Sequence, residues 1–202
     1  MQDVVRVVLA TGNAGKIREF TELLGPLGFD FITQASFGIE PPEETGETFE
    51  DNAILKARHA AALSGLPAMA DDSGLEVDAL GGAPGVRSAR YAGEGAGDLA
   101  NLKKLLVAMQ DVPESARHAR FRCVIALVRS ADDLQPLLGR GAWEGCILDV
   151  PRGTGGFGYD PVFAPLGESR SVAELPSAEK HVHSHRGAAL RDLIGRWRSA
   201  PR

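Results

Sequence analysis

Cysteine is scarce in this sequence, with Cys123 and Cys146 the only two among 202 residues. Both lie in apolar segments that are typical of strands, and two thiols are too few for a structural zinc site. They could pair with each other if the strands brought them together. We expect instead two buried free thiols, as in a protein of the reducing cytoplasm.

Basic runs and long apolar runs are also absent. The net charge is −5 and no segment is rich in Lys and Arg, which argues against binding to polymeric nucleic acid. The apolar run at residues 4–10 is too short for a membrane span, and no cationic segment precedes it as in a signal peptide. We therefore expect a cytoplasmic protein that does not bind membranes.

The composition is that of a globular protein, with 44% hydrophobic and 24% charged residues. A chain of 202 residues suits one large domain or two lobes around a cleft. Because no internal repeat or linker interrupts the chain, we predict a single domain over residues 1–202, built as two lobes.

The first half of the chain alternates between strand and helix patterns. The β-branched run at 4–10 predicts a strand covered on both faces. Ile17, Phe20, Leu23 and Leu24 then recur at helical spacing. The same reasoning predicts a strand at 29–33 and a short strand at 66–70. Between them it predicts a helix that begins at Thr48, where Asp51 completes an approximate capping box, and ends at Gly65. The residues that share one face of this helix are Phe49, Ala53, Ala57 and Ala60.

The second half contains two more helical patterns separated by strands. The spacing of Leu99, Leu102, Leu106 and Met109 predicts one helix. The predicted strands are an alternating segment, with Phe121, Cys123, Ile125 and Leu127 on one face, and the strands that pair with it, which we expect within 134–150. The last predicted helix follows a Ser184 cap and carries an apolar stripe of Leu190, Leu193, Ile194 and Trp197. This order of elements predicts an α/β or mixed α+β fold with a mixed sheet.

Two adjacent carboxylates, Asp71 and Asp72, are the most informative feature of the chain. Ser73 and Gly74 follow them where we expect the strand at 66–70 to end in a turn. Adjacent anions repel each other, so such a pair favours a cation or several hydrogen-bond donors nearby. The group therefore suits a divalent cation and an activated water, although a polar turn that caps a helix also fits.

Residues 11–16, Thr-Gly-Asn-Ala-Gly-Lys, form a short loop between a buried strand and a helix. Backbone N–H groups at the helix start, together with Lys16, would hold a phosphate. The loop is similar to a P-loop, but Ala10 replaces its first glycine and Ile17 replaces its Ser/Thr, which excludes a Walker-type NTPase. An ordinary turn with a solvated lysine is the alternative.

A proline-stiffened acidic loop precedes the second predicted helix. Glu43 or Glu44 in this loop could meet Asp71 and share a hard cation with it. Asn52 and Lys56 are four residues apart on the helix, so both could point at the same ligand. Acidic residues that complement the helix dipole are the default explanation for carboxylates in this position.

Two segments near the end of the chain combine flexible backbone with planar or cationic side chains. Glycines surround Phe157 at 155–158, which suggests a backbone held close to a planar ligand, with the ring as a stacking surface. His185 and Arg186 bring donors to the start of a helix. A hairpin and a pair of surface side chains are the respective alternatives.

Together these segments resemble one family, the inosine triphosphate pyrophosphatases, which hydrolyse dITP, ITP and XTP to the monophosphate and pyrophosphate. The resemblance rests on residues 11–16, 43–46, 52–57, 70–75, 81–85, 88–91, 155–163 and 184–187. These segments follow one another in the family's order and span almost the whole chain. Arg87 departs from the pattern, since relatives often carry an aromatic residue there, and this leaves the shape of that loop or of a dimer contact open.

The resemblance implies a fold of two lobes around a long central mixed sheet, a nucleotide cleft between the lobes, a homodimer and Mg²⁺ as the metal. It makes Asp72 the general base and Glu43, Asp71 and Asp72 the metal ligands, with Glu44 as the alternative to Glu43. The residues that it implies for binding the triphosphate are Thr11, Gly12, Asn13, Ala14, Gly15, Lys16 and Lys56, and Ser73 would also contact the substrate. The residues that it implies for the base are Phe157, Gly158, Tyr159, Asp160, Lys180, His185 and Arg186.

The expected reaction is attack by water on the α-phosphorus, with pyrophosphate as the leaving group, which removes deaminated purines from the nucleotide pool. Hypoxanthine and xanthine carry a carbonyl at position 6 where adenine carries an amino group. A pocket that donates hydrogen bonds there would disfavour adenine, because two donors would then face each other. A pyrophosphatase with another base preference and a non-catalytic nucleotide binder are the alternatives.

Overall fold

The computed structural model describes residues 4–199, which form six strands and five α-helices. The strands are β1 (Val5–Leu9), β2 (Phe29–Thr33), β3 (Ala68–Val77), β4 (His118–Val128), β5 (Leu137–Ile147) and β6 (Phe163–Pro165). The helices are α1 (Ala14–Leu24), α2 (Phe49–Ser64), α3 (Gly97–Ala108), α4 (Ser177–His183) and α5 (His185–Ser199). Short 3₁₀ turns connect several of them.

All six strands belong to one mixed sheet in the order β2-β1-β3-β4-β5-β6. The strand β1 pairs in parallel with β2 on one side and with β3 on the other, whereas β5 and β6 are antiparallel. Parallel neighbours require crossover connections, which α1 and α2 supply between β1, β2 and β3. The predicted α/β class with a mixed sheet is therefore confirmed.

Local sequence signals place the ends of α1 and α2. The side chain of Asn13 caps α1 by accepting from Gly15 N and Lys16 N. Thr48 Oγ1 accepts from Asp51 N at 3.1 Å and so caps α2, as predicted. The Asp51 carboxylate accepts from the Thr48 hydroxyl instead of the backbone, which leaves the capping box half formed. Gly65 ends α2 in the left-handed region with a φ of 70°.

Two of the predicted apolar stripes are only partly correct. Leu23 on α1 and Leu99 on α3 are 47% and 66% exposed. The buried apolar side chains are Leu102 and Leu105 on α3 and Met109 directly after it, whereas Leu106 is only partly buried against the same cluster. Both leucines fit a helical repeat with Leu102, and only packing against the rest of the fold decides between them.

The strand β3 does not end before the acidic pair, which corrects the predicted turn. It begins at Ala68 and continues through Asp71 and Asp72 to Val77. Charged residues are tolerated inside a buried strand when they have partners, and both carboxylates contact a lysine ammonium group. The turn-like composition of residues 71–74 is therefore misleading, because tertiary ion pairs stabilise an extended backbone there.

The chain divides into two compact units. The first comprises the described residues up to Asp72, Val124–Arg140 and those from Ala189 onward, and the second comprises Ser73–Cys123 and Gly141–Ala188. The buried side chains of the first unit come from β1, α1, α2 and neighbouring segments. The second unit has its own apolar cluster, which includes Leu75, Leu105, Phe121, Tyr159 and Phe163. The single domain predicted for residues 1–202 stays a prediction.

Glycines in β5 allow neighbouring segments to approach its backbone. A Cβ on Gly139 would lie 2.3 Å from the carbonyl oxygen of Ala189 on α5, so α5 packs directly against the strand. A Cβ on Gly145 would lie 2.3 Å from the carbonyl oxygen of Ala164 on β6. These two glycines therefore serve close packing rather than chain flexibility.

The structure also bears on the expected state of the two cysteines and on the expected lack of a membrane span. Cys123, which is buried as predicted, and Cys146, which is only partly buried, form no disulfide among the described residues. Within residues 4–199, none of the helices has the length and apolar character needed to cross a membrane.

A buried carboxylate, Asp133, organises the turn between β4 and β5. Its side chain is 2% exposed and accepts from the backbone N–H groups of Arg129 and Gln135 and from the Arg129 guanidinium. The Arg129 side-chain hydrogen bonds and the two backbone N–H groups outweigh burial and hold the pKa of Asp133 well below its usual range. The ionised carboxylate therefore stabilises the folded protein.

Replacement of Asp133 by Asn should lower the free energy of unfolding by about 1.5–3 kcal/mol at neutral pH, since hydrogen bonds to a charged group are lost. The depressed pKa means that the contribution is present above the unfolded value of about 3.9 and is lost as the pH falls below it. Urea unfolding at several pH values should show this difference shrinking towards pH 3. Asp132→Asn, which changes an exposed neighbour, is the control, and an equal effect of both variants would contradict the assignment.

Candidate functional site

The two adjacent carboxylates of β3 contact lysines from different helices. Asp71 and Asp72 are 3% and 7% exposed. Lys16 of α1 donates to Asp71 Oδ2 at 2.8 Å, and Lys56 of α2 donates to Asp72 Oδ1 at 2.8 Å. Successive side chains of a strand point to opposite faces, which explains why neighbours in sequence have different partners. The strand thus separates two anions that the sequence places side by side.

Lys56 joins a second carboxylate to Asp72. Its Nζ also donates to Glu44 Oε1 at 2.8 Å, and its side chain is only 12% exposed. Glu43, which we expected as a metal ligand with Glu44 as the alternative, is exposed. The contacts therefore favour Glu44 as the member of this loop that belongs to the acidic cluster.

The charges of this cluster shift the pKa values of its members. Burial lowers the pKa of Lys56, but Asp72, Asp71 and Glu44 outweigh it and raise that pKa above its ordinary value. Burial is the main cause that raises the pKa of Asp72, and the negative charges of Glu44 and Asp71 add to it while Lys56 opposes both. Lys56 therefore stays a cation, and Asp72 is a stronger base than an exposed aspartate.

The donor set suits a hard divalent cation. Glu44 and Asp72 supply carboxylate oxygens to one point, and Asp72 Oδ2 is buried without a hydrogen-bond partner among the described residues. Across residues 4–199, however, no three His, Cys, Asp or Glu side chains are already gathered as a metal site. Lys56 occupies the space between two of the carboxylates, so a bound cation would take over contacts that the lysine now makes.

The loop at 11–16 uses part of its donor capacity within the protein. Asn13 Oδ1 accepts from Gly15 N at 2.9 Å and from Lys16 N at 3.2 Å, and Thr11 Oγ1 accepts from Asn13 N at 3.2 Å. Gly12, Asn13 and Ala14 are exposed at this turn. Several of the N–H donors expected for a phosphate therefore already have partners, and the Lys16 ammonium group is itself bound to Asp71.

Asn52 does not point at the same group as Lys56, contrary to the helical-face argument. It is fully buried, and its side chain contacts the backbone of Gly46 instead. The sequence correctly placed both residues on α2, but only the fold of the preceding loop decides what each contacts.

A second group of predicted residues gathers around Phe157 in the other unit. The ring of Phe157 is 57% exposed, and Lys180 Nζ lies 4.8 Å from its centroid. Asp160 is buried, and its Oδ2 accepts from Lys180 Nζ at 2.6 Å and from Phe157 N at 2.9 Å. The structure thus unites three of the residues expected to form the base pocket.

Glycine is required where this loop folds over Asp160. The φ of Gly156 is +75°, and a Cβ there would lie 2.1 Å from Asp160 Oδ2. The backbone N–H of Gly158 also has a partner, since it donates to Asp98 Oδ2 at 2.7 Å. The N–H groups of Phe157 and Gly158 are therefore both bound to carboxylates.

Asp98 is a residue that the sequence reasoning missed. It lies 60 positions before Gly158 and looks like an ordinary acidic residue in the first turn of α3. Tyr159, which we expected in the base pocket, is buried, and its hydroxyl donates to the carbonyl of Ser88 at 2.8 Å. Burial raises the pKa of the Tyr159 phenol, and Tyr91 and Asp98 add to this shift. The hydrogen bond to Ser88 makes the ring a fixed support of the loop.

The remaining predicted residues lie at the start of α5 and in β3. His185 stacks on Phe121 with ring centroids 5.0 Å apart, and Arg186 is buried. Ser73 is half-buried, directly after the acidic pair, and Arg87 is exposed. Their proposed contacts with a substrate stay predictions.

Comparison with known proteins places this geometry in a family. A profile described as the Ham1 family matches residues 7–196. The chain belongs to the Ham1 family. Relatives named dITP/XTP pyrophosphatase are 56% identical over 194 residues in Shigella flexneri, covering 96% of this chain and 98% of the relative, and 57% identical over 189 residues in Vibrio cholerae, covering 94% of each. This membership confirms the resemblance drawn from the sequence motifs.

Solved structures of Ham1 proteins share the fold. A HAM1 protein from Coxiella burnetii matches with a TM-score of 0.93 at 49% identity, over 98% of this chain and all of that one. The nucleoside-triphosphatase/dITP/XTP pyrophosphatase from Mycobacterium abscessus matches with a TM-score of 0.81 at 40% identity, over 96% of this chain and all of that one.

Replacement of Asp98 by Ala should loosen the loop of this Ham1 protein around Phe157, because Gly158 N–H loses its acceptor. Hydrogen exchange of a peptide that covers residues 155–160 should become faster, by about tenfold for a hydrogen bond worth about 1.4 kcal/mol. Asp98→Asn keeps an acceptor oxygen and should exchange more slowly than Asp98→Ala. Asp111→Ala, at an exposed position elsewhere in the same unit, is the control, and unchanged exchange in Asp98→Ala would contradict the assignment.

Proposed function

We propose that this protein hydrolyses the non-canonical purine nucleoside triphosphates dITP, XTP and ITP to the monophosphate and pyrophosphate. The observation that carries the proposal is identity of 55–57% with curated relatives named dITP/XTP pyrophosphatase, over 94–96% of the chain. The buried cluster of carboxylates and lysines around β3 supports it, because it provides the charges that such a reaction needs.

The phosphate chain of the substrate binds to the cations of this cluster. A nucleoside triphosphate carries about four negative charges, which repel an attacking nucleophile unless they are neutralised. Lys16 and Lys56 both lie at the cluster and are largely buried, with side-chain exposures of 19% and 12%. Charges in a partly desolvated site act more strongly than in water, so these two lysines are suited to this role.

Asp72 acts as the general base that takes a proton from the attacking water. Its raised pKa makes it a better proton acceptor than an exposed aspartate, and Lys56 holds its Oδ1 before substrate and metal bind. The second oxygen, Oδ2, is buried and has no hydrogen-bond partner among the described residues, so it keeps the acceptor capacity that the attacking water would use. Attack at the α-phosphorus then releases pyrophosphate.

Glu44 and Asp72 would hold Mg²⁺, and Asp71 adds negative charge nearby. When bound, the ion supplies further neutralisation of the phosphate oxygens. Asp71 lies within electrostatic reach, since its charge raises the pKa values of both Lys56 and Asp72. The choice of Mg²⁺ and a homodimeric state are finer parts of the proposal that rest on the resemblance, and a location in the cytoplasm is a further part that rests on the composition of the sequence.

Selection of the base depends on side chains more than on the glycine loop. The N–H groups of Phe157 and Gly158 already donate to Asp160 and Asp98, so they do not recognise a purine carbonyl in this arrangement. We expect the side chains of His185 and Arg186 to face the 6-carbonyl of hypoxanthine or xanthine. Adenine would place an amino group against them, and an unpaired buried donor costs about 1–3 kcal/mol.

A nucleotide panel with product identification tests the proposal. Incubation of the purified protein with ITP, XTP, dITP, ATP and GTP in the presence of Mg²⁺ should release pyrophosphate and monophosphate from the first three. We expect kcat/KM for ATP to be lower by at least about tenfold, which corresponds to about 1.4 kcal/mol of discrimination. Orthophosphate with a nucleoside diphosphate, or no turnover at all, would overturn it.

Substitution of Asp72 by Asn tests the assigned base. Since Asn retains the size of the side chain but accepts no proton, kcat for ITP should fall by about 100-fold or more. Asp132→Asn, at an exposed site on the β4–β5 turn, should leave kcat within about twofold, as surface changes usually do. Wild-type turnover in Asp72→Asn would remove Asp72 from this role.

A further inference from the structure

Asn52 on α2 is a fully buried polar side chain, with 0% of its surface exposed. Its Oδ1 accepts from Gly46 N at 2.8 Å, and its Nδ2 donates to Gly46 O at 3.4 Å. Both ends of one amide side chain therefore contact the backbone of one residue in the acidic loop before α2. We call this pair the Asn52–Gly46 clamp.

The clamp leaves no room for a side chain at position 46, which is a glycine. A Cβ at position 46 would lie 2.6 Å from Asn52 Oδ1, 2.7 Å from Asp51 Cβ and 2.9 Å from Asn52 N. Two of these three contacts involve atoms on or next to the helix backbone, which cannot move aside without distorting α2. The loop can therefore approach α2 this closely only when residue 46 has no side chain.

The clamp lies next to the residue that connects the loop to the acidic cluster. Glu44 is two residues before Gly46, and its Oε1 accepts from Lys56 Nζ, which also donates to Asp72. Asn52 and Lys56 are four residues apart on α2, so one helix face holds both the backbone of the loop and its carboxylate. Glu43, outside this contact, is exposed.

We propose that Asn52 is a positioning residue, which holds Gly46 so that the Glu44 carboxylate stays at Lys56 and Asp72. The inference rests on the proposed function, because it concerns the carboxylate that would help to hold the metal ion. Asn52 acts through Glu44 and touches neither substrate nor metal. Without the clamp, the loop region still contacts α2 through the Glu44–Lys56 ion pair, whose carboxylate end is 27% exposed, and through His59 Nε2, which lies 3.0 Å from the carbonyl oxygen of Glu40.

The first test measures the loop directly and needs no activity. In Asn52→Ala, Gly46 N–H loses its acceptor, and hydrogen exchange of a peptide that covers residues 41–48 should become at least about tenfold faster. Asn52→Asp keeps an acceptor for Gly46 N and should show a smaller increase. Unchanged exchange in Asn52→Ala would overturn the clamp.

The second test measures the consequence for the reaction. Loss of a group that orients a metal ligand typically costs about 10–100-fold in metal affinity or activity. We therefore expect Asn52→Ala and Gly46→Ala each to raise the Mg²⁺ concentration needed for half-maximal ITP hydrolysis, or to lower kcat, by about this factor. The KM for ITP at saturating Mg²⁺ should change by less than about threefold, since the base pocket and Lys16 are untouched.

Non-additivity separates positioning from a general loss of stability. In a Glu44→Gln background, Asn52→Ala should cause less than about a threefold further loss, because the carboxylate that it positions has already been removed. A purely structural role predicts instead that the two losses multiply, and that outcome would overturn the proposal.

Asn101 provides a matched control in the other unit. It is also a buried asparagine, 2% exposed, whose Oδ1 accepts from Ala92 N at 2.7 Å and whose Nδ2 donates to Ala89 O at 2.9 Å. Asn101→Ala should lower the unfolding midpoint by about as much as Asn52→Ala does. Its effect on kcat, however, should multiply with that of Glu44→Gln. The same non-additivity for Asn101→Ala would contradict a specific role for Asn52.

The failure of this inference is distinguishable from failure of the proposed function. If the unmodified protein releases no pyrophosphate from ITP, the proposed function is wrong, whereas the exchange experiment still reports on the clamp. If the unmodified protein is active and Asn52→Ala has the same Mg²⁺ requirement and kcat, the positioning role alone is wrong.

Discussion

The contact on which the candidate site depends is the ion pair of Lys56 with Asp72 and Glu44. One buried ammonium group holds a carboxylate from the middle of a strand and another from a loop, each at 2.8 Å. Without this cation, the cost of burying Asp72 beside Asp71 would be several kcal/mol, because neither water nor a second donor would offset it. The ion pair therefore fixes the loop before α2 and permits β3 to continue through two adjacent acids.

The same contact explains how a site can be stable and still reactive. The raised pKa of Lys56 keeps its charge, and the raised pKa of Asp72 makes its carboxylate a better proton acceptor. A substrate that brings its own negative charges competes with Glu44 and Asp72 for Lys56. The lysine thus neutralises the protein's carboxylates before binding and becomes available to phosphate oxygens afterwards, so buried charge is balanced in both states.

Much of the fold could be predicted because local signals agreed with one another. The β-branched run of β1, the Thr48 cap and the left-handed Gly65 each place an element end without reference to the rest of the chain. The prediction of local structure was less accurate where the sequence pattern fitted two conformations or two helix faces equally well. The turn expected at Asp71 and Asp72 is extended strand, and Leu105 is buried more deeply than Leu106, since ion pairs and packing between distant segments decide these points.

Composition, periodicity and motif order are local properties, so the class of fold, the family and the segments that carry polar chemistry could all be predicted before the structure was known. The tertiary structure decided which partner each of those side chains takes. Glu44 rather than Glu43 meets Lys56, Asn52 binds Gly46, and Asp98 reaches Gly158 across 60 positions. Hydrogen bonds and ion pairs act over about 3 Å, and only the folded backbone brings residues far apart in sequence within that distance.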